Sequence, residues 1–185
     1  IHTSGQVPAT GLVEDLVWRV RDLVGGEAEV WFSGAKRLEV SLIGPDGTVV
    51  LDALQPGNTA EITDEQGKLA VFASSRLAEP NNGDNVLGIY LAPGLPGGDW
   101  TIRLRSMGGD AVDYHAWVER LDSAQSSFAR PVPTHTLGSI STGRLSIVVG
   151  SYDAHKTSFP ISSFSSSGPT RDGREKPEVS APGGF

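Results

Sequence analysis

Between Trp100 and Arg105 the chain alternates: Trp100, Ile102 and Leu104 are apolar, while Thr101, Arg103 and Arg105 are polar. Successive side chains of a strand leave on opposite faces, so such a stretch buries one face and wets the other. The same period of two runs through Ala28, Val30 and Phe32, then Leu38, Val40 and Leu42, and returns at Tyr114, Ala116 and Val118. Turn signals punctuate it: Gly44-Pro45-Asp46-Gly47, Pro56-Gly57, and the run from Pro93 to Gly98. Proline presets φ for a turn and glycine supplies positive φ. The pattern predicts seven strands at roughly ten-residue spacing, joined by loops too short for crossover helices. The expected fold is mainly β: an antiparallel β-sandwich or jelly roll.

Two segments read less cleanly. Ala60 and Ile62 mark a weaker strand, closed by Asp64-Glu65-Gln66-Gly67. From Thr10 to Gly26, the residues Leu12, Val13, Leu16, Val17, Val20, Leu23 and Val24 fall at helical spacing, with Thr10 as an N-cap and Gly25 as a C-cap. The same residues also alternate, with Leu16, Trp18 and Val20 set against Val17, Arg19 and Arg21. Tryptophan, β-branched residues and an all-β neighbourhood favour the strand.

Composition narrows the function. The chain has no cysteine, which excludes a disulfide scaffold, a thiol nucleophile and a thiolate-held metal. No stretch approaches the apolar length of a membrane-spanning helix, so no membrane partner is expected. The net charge is −7 without a basic run, so no nucleic-acid partner is expected either. The acid is uneven. Residues 1–134 hold ten bases and eighteen acids, for −8, whereas residues 135–185 hold five bases and four acids, for +1. This split suggests two units, 1–130 and 131–185, with Pro131 and Pro133 stiffening the join. Ile1-His2-Thr3-Ser4-Gly5 at one end and Ser180-Ala181-Pro182-Gly183-Gly184-Phe185 at the other carry no pattern of a terminal element. The chain therefore reads as a piece of a longer protein.

In the second unit, Leu145-Ser146-Ile147-Val148-Val149-Gly150 is a run expected to be buried on both faces of a parallel sheet. Such a strand needs neighbours. After it come Ser163-Phe164-Ser165-Ser166-Ser167-Gly168-Pro169 and Lys176-Pro177-Glu178-Val179-Ser180-Ala181-Pro182-Gly183. The strand, the serine-rich turn and the Lys-Pro-acid segment ending in Ala-Pro-Gly stand in the order of the subtilisin-like serine peptidases, which this region resembles. Glu178 occupies a place where that family usually has Asp, which alters the local loop-capping bond. His2-Thr3-Ser4-Gly5 resembles the sequence that follows the oxyanion-hole Asn in the clostridial germination-type branch, and Trp31-Phe32-Ser33-Gly34, Leu42 to Gly47 and Gly98 to Ile102 resemble the jelly-roll domain inserted after it.

The resemblance implies a fragment of a serine endopeptidase, an α/β subtilisin-like segment following the inserted sandwich. In the family the triad Asp and His and the oxyanion Asn precede such a segment, and the Gly-Thr-Ser nucleophile follows it. No Gly-Thr-Ser occurs here, so no catalytic residue is assigned and the fragment is expected to be inactive. The substrate would be a protein or peptide handled by the parent enzyme, and secretion is the family habit.

Other residues keep two readings. Phe164 either touches substrate or packs, and Ser162 to Ser167 either tempt as nucleophiles or build a turn. Glu79, Asn81, Asn82, Asp84 and Asn85 offer hard oxygen ligands, so calcium is possible at Glu79 and Asp84, although a solvated loop has the same composition. No cofactor is required. Arg103 and Arg105, with Arg19 and Arg21, form an anion site or a solvated face. His115 reads as a surface histidine. Trp31 and Trp117, opposite the core positions, suit a binding module for a polysaccharide or a protein partner as an alternative to the enzyme reading.

Overall fold

The computed structural model describes residues 1–9, 11–121 and 124–183, and it divides into two compact units, the first from Thr3 to Pro131 with Ile1, the second from Val132 onward with His2.

The first unit is a β-sandwich. One sheet has six strands in the order β1 (His2–Val7), β10 (Val112–Val118), β3 (Gly26–Phe32), β8 (Asn85–Leu91), β7 (Leu69–Arg76) and β6 (Thr59–Thr63). The other has five, in the order β11 (Ser127–Phe128), β2 (Val13–Val20), β9 (Gly98–Ser106), β4 (Leu38–Ile43) and β5 (Val49–Leu54). The pairings from β2 to β10 are antiparallel.

The alternation decides which side chains meet between the sheets. Ala28, Val30 and Phe32 lie opposite Ile89, Leu87 and Asn85 on β8, and both strands send their apolar residues inward. In the facing sheet Leu16 and Trp18 pair with Ile102 and Trp100. Trp18, Phe32, Leu38, Leu42, Ile102 and Leu104 are all fully buried. Each such side chain contributes about 1.5–3 kcal/mol relative to leaving it in water.

The segment from Val13 to Val20 is strand. Strand β9 on one side and β11 on the other satisfy its backbone, and Leu16, Trp18 and Val20 face the core. Thr10, the cap of the helical alternative, lies outside the described residues.

Among the described residues the sandwich has eleven strands where the sequence pattern predicts seven. Two of the extra strands, β1 and β11, carry sequences such as His-Thr-Ser-Gly-Gln-Val that show no alternation, and each contributes one buried apolar side chain to the core, Val7 and Phe128. They also bring the ends of the unit together, since Thr3 Oγ1 donates to the Arg130 carbonyl at 2.7 Å.

The turns behave as their residues dictate. Gly44 N–H reaches the Thr48 carbonyl at 2.8 Å, Asp46 Oδ1 accepts the Thr48 N–H at 2.9 Å, and Gly47 takes φ +84°. Asp64 repeats the device, accepting the Gln66 and Lys68 N–H groups at 2.9 Å.

The second unit contains a short 3-10 helix (Ser139–Thr142) and a parallel pair, β12 (Val149–Tyr152) and β13 (Val179–Pro182). The expectation of burial on both faces from Leu145 to Gly150 is corrected. The strand begins only at Val149, Leu145 is 99 % exposed and Ile147 77 %. β13 is the only strand that pairs with β12 among the described residues, and two strands cannot cover a run of this kind.

Candidate functional site

The serine-rich turn packs onto β12 through its hydroxyls. Ser151 and Ser162 share a hydrogen bond at 2.7 Å, Ser165 Oγ accepts the Ser151 N–H at 3.0 Å, and Ser162 N–H reaches the Ser151 carbonyl at 3.0 Å. Farther along, Ser167 N–H donates to Thr136 Oγ1 at 2.8 Å and Ser167 Oγ to the Pro133 carbonyl at 2.5 Å. These hydroxyls build a turn. Phe164 stands at its tip, 66 % exposed, so packing does not explain this ring within the second unit.

Lys176 is the buried cation of the unit. Its ammonium donates to the Ser146 carbonyl at 2.5 Å and to the Glu178 carboxylate. Glu178 Oε2 also accepts the Val148 N–H at 2.8 Å. Lys176 and Val148 together hold the Glu178 carboxyl below the usual glutamate range. Glutamate thus performs the loop-capping bond directly, one residue before β13 begins, and ties the 146–148 segment to the end of the chain.

At 22 % identity, the chain is similar to the solved structure of the Clostridium perfringens CspB protease, with a TM-score of 0.76. The likeness covers 98 % of this chain and 38 % of that one. It is a likeness of fold. No protein-family model matches the chain, and no curated protein matches it. This chain thus spans well under half the length of that protein.

The loop from Glu79 to Asn85 closes on itself. Glu79 N–H reaches the Asp84 carbonyl at 2.7 Å, and Asn82 Oδ1 accepts the Asp84 N–H at 3.0 Å. Glu79 lies 3.2 Å from Arg76 Nε. Glu79 and Asp84 therefore share one loop, with Glu79 already in an ion pair.

Asn85 is a correction to the ligand set. It is fully buried, its Nδ2 donates to the Lys36 carbonyl at 2.8 Å and the Ser33 carbonyl at 3.3 Å, and its Oδ1 accepts the Ala78 N–H at 3.0 Å. Both ends of the amide are engaged in joining two loops.

Arg103, Arg105 and Arg19 are answered by acids. Asp15 takes Arg103 through two hydrogen bonds of 2.7 Å, Arg105 bonds Glu39, and Arg19 lies 3.3 Å from Asp99. This is a surface of ion pairs across strands.

Trp31 and Trp117 share the outer face of the six-stranded sheet on neighbouring strands, with Trp117 opposite Glu29 and His115 opposite Trp31. The His115 and Trp117 rings stack at 5.7 Å with 15° between planes. Trp31 Nε1 donates to Glu29 Oε2 at 2.9 Å. The sequence pointed to both tryptophans. The acid row beside them was not legible, because its members come from strands far apart along the chain.

Proposed function

We propose that this chain is a segment of a subtilisin-like serine endopeptidase. In this reading the sandwich is inserted into the catalytic domain, and the residues from Val132 onward belong to that domain. The observation that carries the reading is the match in fold along 98 % of the chain to a part of the CspB protease. The ordered motifs from Ser146 to Gly183 support it independently.

The chain holds no triad, so peptide-bond hydrolysis by Asp, His and Ser belongs to residues beyond it. Its own contribution is positional. The sandwich braces the catalytic domain, holding active-site loops in the geometry that the reaction needs. Phe164 would touch the peptide substrate from the tip of its turn. Calcium, if bound, would sit at the loop of Glu79 and Asp84 as a structural ion, with no part in the chemistry. The parent protein would be secreted.

The test pairs two measurements. The 185-residue chain should take no covalent label from a fluorophosphonate probe, while the longer protein that contains it should be labelled. Deleting Leu12 to Arg130 from that longer protein should lower turnover or yield of folded enzyme. Labelling of the isolated chain that survives a denaturing gel, or a deletion with unchanged activity and melting, overturns the proposal.

A further inference from the structure

The outer face of the six-stranded sheet carries a feature that bracing does not require. Glu27 on β3 pairs with Tyr90 on β8, which pairs with Phe72 on β7, which pairs with Glu61 on β6. Glu119 joins the other end through its N–H to the Glu27 carbonyl at 3.0 Å. Two aromatic rings therefore lie in one row with carboxylates at both ends. In the next row Glu29 pairs with Gly88 and Gly88 with Ser74, so the middle of the face has almost no side chain. Beyond that row stands Trp31. Side chains on neighbouring strands stand roughly 5 Å apart, so these groups form one continuous surface. Its middle, Gly88 and Ser74, lies between the half-buried rings of Tyr90 and Phe72 on one side and Trp31 on the other.

We propose that this face docks an extended basic segment of a protein, rich in lysine or arginine. Charge selects the occupant. Glu27, Glu29, Glu61 and Glu119 are exposed, and Arg76 on the same face is already paired with Glu79 at 3.2 Å. Like charges crowd there: partial burial first, then Glu119 and Glu29, raise the Glu27 carboxyl above the usual range. A cation placed among these groups relieves that repulsion. The methylenes of a lysine or arginine would lie along Tyr90 and Phe72, with the charged head over the ring faces or at the carboxylates. A second copy of this chain is disfavoured, because residues 1–134 carry −8. An anionic lipid or nucleic acid is disfavoured on the same ground.

The experiment measures binding of three probes to the 185-residue chain by tryptophan fluorescence and calorimetry. The probes are a decapeptide of alternating lysine and alanine, its glutamate counterpart, and a neutral glucose hexasaccharide. The lysine peptide should bind and weaken as salt is raised, and the other two should not bind. The triple variant E27Q/E29Q/E119Q should lose about tenfold or more in affinity. A variant of equal charge change elsewhere, E65Q/D99N/E175Q, should bind as the parent does. Circular dichroism of both variants checks that the fold is kept. Equal losses in the two variants would reduce the effect to net charge and overturn the proposal. Binding of the hexasaccharide in preference to the lysine peptide would also overturn it, in favour of a glycan surface. Neither outcome depends on protease activity, so failure here leaves the peptidase reading untouched.

Discussion

Tyr114 in one sheet donates its hydroxyl hydrogen bond to Glu14 Oε1 in the other, at 3.2 Å, and Glu14 lies 3.5 Å from Arg130 Nη2. The contact closes one end of the sandwich core. Burial first, and then the negative Glu14, push the Tyr114 hydroxyl well above the ordinary tyrosine value. The unfolded chain would release this proton near pH 10, whereas the folded chain keeps it. Stability from this group is therefore whole below about pH 10 and lost as the pH rises beyond it. Tyr114→Phe should cost about 1 kcal/mol at neutral pH and flatten the alkaline fall. Urea midpoints at neutral pH and above pH 10 check both.

Asn85→Ala should destabilise the sandwich by about 2–3 kcal/mol, because the Ser33 and Lys36 carbonyls and the Ala78 N–H lose their partner in a buried place. Asn85→Asp should fare little better, since it keeps the acceptor and loses the donor. Thermal melting followed by tryptophan fluorescence reads the loss.

Replacing Lys176 by Met should loosen the segment around Ser146 and Val148. The Ser146 carbonyl loses its donor and Glu178 its cation. Hydrogen exchange at the Val148 amide should speed up clearly, with a stability loss of about 1–3 kcal/mol for the second unit. Glu178→Asp tests the same bond from the other side. One methylene fewer should draw the carboxylate away from the Val148 N–H, while the Lys176 pairing survives.

Asp172 supplies the acid-side prediction. The Arg174 guanidinium first, and the Thr170 hydroxyl second, hold its carboxyl at about 2. In the unfolded chain it titrates near pH 4. Its contribution is thus present above about pH 4 and disappears as the pH falls toward 2. The turn is also held by the Gly173 N–H on the Thr170 carbonyl at 2.9 Å and the Arg174 N–H on Thr170 Oγ1 at 3.0 Å. Exchange of the Gly173 and Arg174 amides should accelerate across that window, and Asp172→Asn should remove the pH dependence.

Much of the sandwich was legible because alternation is a local property. Leu16, Trp18 and Val20 announce their face without reference to any partner. β1 was not legible, since its backbone pairing leaves no trace in the identity of Thr3, Ser4 or Gln6. Glu14 shares the inward parity of Leu16, yet as a carboxylate it reads as the end of a buried run. The distant Tyr114 and Arg130 explain it. Asn85 hid within a polar loop for the same reason. Ile147 shows the opposite case: an apolar run reads as buried, but burial is conferred by neighbours, and β13 alone does not cover it among the described residues. In the candidate site, the order of motifs was readable, whereas the Lys176 clamp depended on a fold that brings residues about thirty apart into one bond.

The bond between Thr3 and the Arg130 carbonyl carries a consequence for the connectivity of this architecture. A unit whose entry and exit points lie within one hydrogen bond of each other can be joined to a longer chain at two neighbouring points with almost no stretching of the surrounding backbone. The same closeness of its ends makes such a unit tolerant of cutting and rejoining elsewhere, because a short linker suffices to bridge the original termini.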